Sequence, residues 1–354
     1  MPFMSTFVVF ITWMMVILLL ASFFLWAIGM IFRKEQGSFL YFPNDPPNSR
    51  NTCASPVDVG ITNFEFVSIS TSDGQMLKGY LMWPQSRSPS FSSGNGKVFD
   101  GEGTPPLAHD VVNAKPSFVL LYFHGNAGNV GHRLVVAKSF LSTLGCAVLM
   151  IDYRGFGLSS TTAITQKGLE MDAQACLDFI KHDERLPQDK IYVMGTSLGA
   201  AVALHLVVKP RAARHISGVV IENTFTSISD MAGILASSVI RQLSIPFPGY
   251  AMLFLVYYLF PLTLHLKWKN IATLQSISIP MLFLSGLKDE LVPPEQMRRL
   301  YQAACGRNHK DNPLRRLVTF QEGSHNDLFL CDGYFRTILD FVNDVEKGKG
   351  VNFI

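Results

Sequence analysis

One short segment in the middle of the chain restricts the possible folds more than any other feature. The sequence IYVMGTSLGAAVALHL, residues 191–206, begins as a buried strand, turns at Gly-Thr-Ser-Leu-Gly and continues as a helical pattern rich in alanine and leucine. Such a turn exposes its serine, Ser197, as a nucleophile, and a Cβ at Gly195 or Gly199 would clash with the neighbouring strand or helix. Because GxSxG alone is a weak signal, a plain turn of small residues remains the alternative.

Two later segments supply the partners that a nucleophilic serine requires. A serine hydroxyl needs a histidine to accept its proton and a carboxylate to orient that histidine. Asp289 and His325 each follow a short apolar run that is typical of a buried strand. The order of nucleophile, acid and histidine along the chain suits loops at the carboxyl ends of successive strands. We predict a triad of Ser197, Asp289 and His325, with Glu290 and Asp327 open as alternative acids.

A glycine-rich loop predicts the remaining part of the site. An apolar strand over 118–123 ends in His-Gly-Asn-Ala-Gly, and a helix is expected to begin near residue 130. Acyl transfer develops negative charge on a carbonyl oxygen, which backbone N–H groups stabilise. We expect Asn126 and Leu198 to donate those N–H groups, while Gly125 lets the backbone approach the substrate. An ordinary turn before a helix is the alternative, and His124 is interpreted as fixing the loop rather than as a base.

Apolar runs and helical patterns alternate along the rest of the chain. A Ser-Asp-Gly turn separates two alternating runs within 64–84, which predicts a hairpin. AVLMIDY, IYVMG and SGVVIENTF are typical of strands, and helices are predicted around 166–182 and from about 198. This alternation predicts an α/β fold with a mostly parallel sheet flanked by helices. DYRGFG, at 152–157, is interpreted as a structural turn beneath the site.

Six segments together resemble one known family. FHGNAGNVGHR, IDYRGFGLS, GTSLGAAVA, IENTFTSI, LSGLKDELVPP and EGSHNDLF occur in consistent order between about residues 60 and 345. They are similar to the α/β-hydrolases, specifically to the subfamily of alpha/beta hydrolase domain-containing protein 13 and its fungal bud-emergence relatives. The resemblance implies an α/β-hydrolase fold and a membrane-anchored serine hydrolase with Ser197, Asp289 and His325 as triad. The segment from Gln85 to Lys115 departs from the family pattern.

The amino-terminal segment predicts a membrane anchor. Residues 3–32 carry no charged side chain, and about 20 apolar residues are enough to cross a bilayer. A cleaved signal peptide is the rival reading, but its basic start, shorter apolar core and cleavage site are not clear here. We expect a single-pass anchor over 1–34 at the ER or plasma membrane. Arg33 and Lys34 behind it favour a cytosolic catalytic domain, and five cysteines without dense spacing do not require an oxidising compartment.

The sequence predicts one hydrolase domain over 61–348, joined to the anchor by a proline-rich linker over 35–60. Residues 85–115 are rich in Ser, Gly and Pro, which predicts a flexible insertion or else a partner-binding or modified loop. Residues 225–273 form a predicted apolar lid. A membrane crossing there would separate Ser197 from its partners, so we expect the lid either to dip into the membrane surface or to be buried in protein.

An apolar lid beside an anchor favours substrates with an acyl chain, such as lipid esters or S-acylated proteins. A serine peptidase or amidase and a catalytically silent membrane scaffold are the alternatives. The chain has no HExxH, paired CxxC, phosphate-binding loop or dinucleotide fingerprint, so neither a metal nor a cofactor is expected. A net charge of +3 with scattered basic residues leaves no footprint for nucleic acid.

Overall fold

The computed structural model describes residues 12–16, 23, 37, 40–84, 116–234, 267–306 and 313–351. The insertion predicted over 85–115 lies wholly outside the described residues, as do most of the anchor and most of the lid. Within the described part, no helix combines the length and the apolar character needed to cross a bilayer. The chain divides into two compact units, and every described strand belongs to the unit formed by residues 42–227 and 268–354.

Eight strands in the described residues form one sheet in the order β1-β2-β4-β3-β5-β6-β7-β8. The first two strands run antiparallel, β2 also pairs antiparallel with β4, and the neighbours from β4 to β8 are parallel. The mostly parallel sheet predicted from the sequence is therefore confirmed. The strands are β1 (Phe64–Ser70), β2 (Met76–Met82), β3 (Val119–Phe123), β4 (Ala147–Asp152), β5 (Ile191–Thr196), β6 (Ile216–Glu222), β7 (Met281–Gly286) and β8 (Arg315–Phe320).

Helices pack against this sheet. The helix expected around 166–182 is confirmed with those bounds, and the Thr165 hydroxyl caps it by accepting a hydrogen bond from Gly168 N at 3.0 Å. The helices are α1 (Leu134–Ser139), α2 (Gln166–His182), α3 (Leu198–Val207), α4 (Pro210–Ala213), α5 (Asn270–Leu274), α6 (Pro294–Cys305) and α7 (Tyr334–Val351). Short 3-10 turns occur at Pro56–Val59, Val130–Arg133 and Leu328–Leu330, and a π-helical turn at Phe140–Leu144 follows α1.

The central strands are buried almost along their whole length, and mostly apolar, because both faces of the sheet are covered. Every residue of β3, β4, β6 and β7 is buried, as is β5 up to its last residue. Helix α3 packs on β5 and β6, α6 on β7 and β8, and α7 on β6. A parallel sheet covered on both faces produces such continuous apolar runs, in contrast to the alternation of β1.

The parallel register brings the carboxyl ends of five strands to one edge of the sheet. Phe123 is opposite Gly195, Thr196 opposite Glu222, and Gly286 opposite Phe320. The loops that follow β3, β5, β6, β7 and β8 therefore leave the sheet side by side, which is the usual place for a site in this architecture. The predicted site residues lie in these loops, at the end of β5 or in the first turn of α3.

Candidate active site

Ser197 occupies the turn between β5 and α3 in a strained conformation. Its φ is 54° and its ψ is −116°, a region that residues with a side chain rarely adopt. The turn is held by hydrogen bonds from Ser197 N to Glu222 O at 2.9 Å and from Ala200 N to Ser197 O at 3.1 Å. Strain that the surrounding structure maintains in this way is typical of functional residues.

The two glycines that flank Ser197 allow α3 to lie directly on the sheet. A Cβ built on Gly195 would lie 2.2 Å from the carbonyl atoms of Gly199. A Cβ built on Gly199 would lie 2.0 Å from Phe123 O and 2.6 Å from His124 O. No side chain fits at either position, because backbone atoms occupy the space. The turn after β5 and the loop after β3 are therefore packed backbone against backbone.

Asp289 lies in the loop after β7 and His325 in the loop after β8, and their side chains meet. His325 Nδ1 and Asp289 Oδ2 are 2.8 Å apart, and both residues are buried. The other carboxylate oxygen, Oδ1, accepts hydrogen bonds from Leu291 N at 2.9 Å and Val292 N at 2.7 Å. The carboxylate is held through both oxygens. The imidazole is consequently fixed through Nδ1, and its Nε2 is the nitrogen that can exchange a proton.

The other two candidate acids make different contacts. Glu290 Oε2 accepts a long hydrogen bond, 3.4 Å, from the backbone N of His325. Asp327 Oδ1 accepts one from Ser324 N at 2.7 Å. Both carboxylates thus contact the backbone of the histidine loop, whereas the hydrogen bond to the imidazole comes from Asp289.

The loop after β3 runs beside the turn that contains Ser197. A Cβ built on Gly125 would be 3.8 Å from the Cβ of Ser197, so these two residues are neighbours. The carbonyl of Asn126 accepts a hydrogen bond from Phe42 N at 3.2 Å, which fixes the outer side of the loop. Leu198 is the first residue of α3, so its N–H has no acceptor within its own helix. Both predicted oxyanion donors belong to segments that adjoin Ser197.

His124 is buried and uncharged. Its Nδ1 lies 2.8 Å from Gly125 O, and its carbonyl accepts a hydrogen bond from the Tyr153 hydroxyl at 2.9 Å. Burial, with the Arg133 charge as a second cause, lowers the pKa of His124 to about 3. Burial also raises the pKa of its neighbour Asp152 to about 7. Between about pH 3 and pH 7 both groups are therefore neutral, and the 3.8 Å contact between His124 Nε2 and Asp152 Oδ1 is not an ion pair.

The segment DYRGFG has a structural role. Asp152 Oδ1 accepts a hydrogen bond from Val130 N at 2.8 Å, and a Cβ built on Gly157 would overlap its carboxylate. Arg154 binds Asp172 and, through both terminal nitrogens, Asp73. These contacts tie the end of β4 to α2 and to the β1–β2 turn. The bond to Asp152 also holds the start of the helical segment at residue 130, which begins as a 3-10 turn rather than as an α-helix.

Sequence reasoning did not assign the residues that end and follow β6. Glu222, Asn223 and Thr224 are all buried. Glu222 accepts hydrogen bonds from the hydroxyls of Tyr334 and, at 3.2 Å, Thr196, and burial raises its pKa to about 7. The signal that identifies them is a polar run directly after an apolar strand. Across the described residues, no group of three or more His, Cys, Asp or Glu side chains is arranged to hold a metal ion.

Comparisons with known proteins identify the family and the fold. The family model of the α/β-hydrolase fold matches residues 119–244. Protein bem46 of Schizosaccharomyces pombe is 34% identical over 325 residues, which cover 90% of each chain. The uncharacterized membrane protein YNL320W of Saccharomyces cerevisiae is 35% identical and covers 68% of this chain and 75% of its own. Lysophosphatidylserine lipase ABHD12 of Macaca fascicularis is 34% identical and covers 65% of this chain and 55% of its own.

A solved structure shows the same fold at low identity. The Pyrococcus furiosus esterase Pf2001 superposes with a TM-score of 0.57 and 17% sequence identity. The superposition covers 83% of this chain and 95% of the esterase. The similarity thus extends over nearly all of the esterase.

Proposed function

Because the chain belongs to the α/β-hydrolase family, we propose that it is a membrane-anchored serine hydrolase that cleaves acyl esters or thioesters with Ser197, His325 and Asp289. That it is a hydrolase follows from the fold and from its esterase and lipase relatives. The hydrogen bond between His325 and Asp289 is the observation that carries the finer proposal. It joins two side chains 36 residues apart, at the same sheet edge as the strained serine.

The mechanism follows from which atoms are held. Asp289 binds Nδ1 of His325, so Nε2 accepts the proton as Ser197 Oγ attacks the carbonyl carbon of the substrate. The developing oxyanion is bound by the N–H groups of Asn126 and Leu198. The proton then passes from Nε2 to the departing alcohol or thiol as the C–O or C–S bond breaks. Water, deprotonated by the same histidine, attacks the acyl-serine and releases the acid.

An acyl chain is the part of the substrate that the sequence favours. Residues 242–266, within the proposed lid, contain no Asp, Glu, Lys or Arg, so the segment suits a chain of methylenes. The name of the relative ABHD12 specifies a lysophosphatidylserine lipase, which supports a single-chain lipid ester as one substrate class. S-acylated proteins present the same acyl group through a thioester.

A membrane anchor over residues 1–34 places the enzyme where such substrates are concentrated. The uncharged run at 3–32 supports it, as does the name of YNL320W, a membrane protein. With Arg33 and Lys34 on the cytosolic side, the catalytic domain faces the cytosol. Protease added to intact microsomes should therefore remove the carboxyl-terminal domain. A protected domain would reverse this orientation.

Labelling with a fluorophosphonate probe tests the nucleophile. Wild-type protein in detergent should be labelled, and Ser197→Ala should abolish labelling because the probe phosphonylates an activated serine hydroxyl. Ser142→Ala is the matched control, since this exposed serine bonds only to Ser139 O in its own turn. Equal labelling of wild type and Ser197→Ala would contradict the assignment. Failure to label the wild type would favour a catalytically silent scaffold.

A further inference from the structure

Three consecutive residues at the end of β6, Glu222 to Thr224, lie between the parts of the proposed triad without belonging to it. Glu222 ends β6, and Asn223 and Thr224 follow it as the chain leaves the sheet. β6 is flanked by β5, which leads to Ser197, and by β7, which leads to Asp289. The segment is therefore the one from which both loops can be reached directly.

The side chain of Asn223 joins the loop that contains His325 to the end of β7. Its Nδ2 donates hydrogen bonds to Ser324 O at 2.9 Å and to His325 O at 3.2 Å. Its Oδ1 accepts a hydrogen bond from Gly286 N at 2.9 Å, three residues before Asp289. The amide thus uses both of its N–H donors on one loop and its acceptor on the other.

The same segment also bonds the turn that contains Ser197, through one backbone carbonyl and one side-chain hydroxyl. Ser197 N donates to Glu222 O at 2.9 Å, and the hydroxyl of Thr224 donates to Ser197 O at 2.8 Å. Asn223 therefore lies between two residues that bond the nucleophile's turn, while its own side chain bonds the histidine loop. Through this segment, the backbones of Ser197 and His325 are connected by a few short hydrogen bonds.

The conformation of Asn223 supports a specific requirement for asparagine. Its φ is 44°, in the left-handed region that asparagine tolerates better than most residues with a side chain. Its N–H donates to Leu284 O at 3.1 Å, which holds this conformation against β7. An aspartate of the same size has no N–H to donate, and its negative charge would face two carbonyl oxygens.

We propose that Asn223 is a positioning residue that sets the backbone of His325 relative to the end of β7, so that imidazole and carboxylate meet as a preformed pair. The inference rests on the proposed function. It goes beyond that function because it assigns the alignment of the histidine to a side chain that touches neither substrate nor imidazole. A displacement of about 1 Å in such a group can cost about 100-fold in rate.

Kinetics of two Asn223 variants with an acyl ester substrate test this role. Asn223→Asp should lower kcat about 100-fold and leave KM nearly unchanged, since the acyl-binding surface is untouched. Asn223→Gly keeps the positive φ accessible while removing the amide, so it should lower kcat in the same direction without backbone strain. Gln188→Glu is the control for the change from amide to acid. The side-chain amide of Gln188 lies before the amino end of β5, away from the loops that follow the strands, and it also donates to two backbone carbonyls, Ile180 O at 2.9 Å and Asp183 O at 2.7 Å.

The pH profile separates alignment from general structural damage. The titratable groups around His325 are Asp289 and Glu290 from the loop after β7, Asp327 from its own loop, and Glu222 from β6. Loss of the Asp289 contact makes the imidazolium less stable. The acid limb of kcat/KM should therefore move to lower pH in Asn223→Gly, which adds no charge, and stay in place in Gln188→Glu.

Each outcome decides the proposal. It is overturned if both Asn223 variants, corrected for folded fraction, keep kcat within about 3-fold of wild type and Asn223→Gly leaves the acid limb unmoved. If neither variant folds, Asn223→Ser, which keeps one donor, is judged by the same two measurements. Fluorophosphonate labelling of wild type and Ser197→Ala is measured separately and tests the proposed function alone. A failure of the proposed function is thereby distinguished from a failure of the role given to Asn223.

Discussion

Two buried histidines lie at the same edge of the sheet, each near a buried aspartate. They differ in which group binds Nδ1 of the imidazole. His325 is 2.8 Å from Asp289, whose second oxygen is bound by two backbone N–H groups of its own loop. His124 is 3.8 Å from Asp152, and its Nδ1 is bound instead by Gly125 O. A histidine and an aspartate close together at a sheet edge therefore need not be joined by the hydrogen bond that base catalysis by a serine triad requires. The carboxylate must bind the imidazole itself.

The electrostatics of the two pairs follow from that difference. Without a hydrogen bond between them, His124 and Asp152 are each dominated by burial, which disfavours the charged form of both. The pKa of His124 falls to about 3 while that of Asp152 rises to about 7. The pair is thus suited to holding a loop in place, and the pair after β7 and β8 is suited to moving a proton.

The largest expected contrast is between the histidines. His325→Ala should lower kcat by about 10⁶-fold, as removal of the base from a serine triad does. His124→Asn should lower it by less than about 10-fold, because the side chain makes one hydrogen bond to a backbone carbonyl. Steady-state hydrolysis of an acyl ester measures both. Comparable losses in the two variants would mean that the assignment of roles is wrong.

Substitution of the two aspartates should change kcat by factors that differ less than those of the two histidines. Asp289→Asn should lower kcat by about 10⁴-fold while the fold survives, because an amide neither favours the required tautomer nor stabilises an imidazolium. Asp152→Asn should leave kcat within about 10-fold, since its amide oxygen can still accept the bond from Val130 N. Asp327→Asn and Glu290→Gln serve as further controls. A loss of about 10⁴-fold in either control would move the role of the acid to that residue.

The smallest effect concerns stability rather than turnover. The folded-state pKa of Asp152 lies above its ordinary value, so its contribution is fully present below about pH 4 and is lost as pH rises through about 7. Wild type should therefore lose stability relative to Asp152→Asn over that range, by at most about 4 kcal/mol.

Urea unfolding at several pH values measures this difference. His124 acts with the opposite sign, since its lowered pKa gives stability above about pH 6.5 that is lost as pH falls through about 3. Glu222, also buried with a raised pKa, acts with the same sign as Asp152 and is unchanged in both proteins. If the difference in free energy of unfolding between the two proteins did not change between about pH 4 and pH 7, Asp152 would be ionised in the folded state over that range.

The elements that could be predicted are those whose cause is local. Helix α2 was predictable at its observed bounds because its polar and apolar residues alternate with helical period after a Thr N-cap. The β1–β2 hairpin was predictable from Ser-Asp-Gly, and indeed Thr71 N bonds Gln75 O across the turn. The contact of Asp289 with His325 was predictable because each follows an apolar strand directly.

The features that could not be predicted depend on distant partners. Asn223 acts through Gly286 and His325, which lie 63 and 102 residues further along the chain, and no local pattern specifies such a bond. The placement of β2 beside β4 likewise depends on register across the sheet rather than on either strand alone. Burial raises the pKa of Glu222 against the opposing effect of hydrogen bonds from Tyr334 and Thr196, and only the folded chain brings these groups together.

The contact of Gly199 with the carbonyls of Phe123 and His124 limits how the molecule can evolve. Since no atom can be added there, the turn of Ser197 and the loop after β3 form one rigid unit, and a substitution that moves one of them must move the other. Substitutions that change substrate selectivity must therefore occur in segments that border this rigid unit. Any larger residue at position 199 should disrupt the packing of these two segments, so substitution there should not lead to an enzyme with a different reaction.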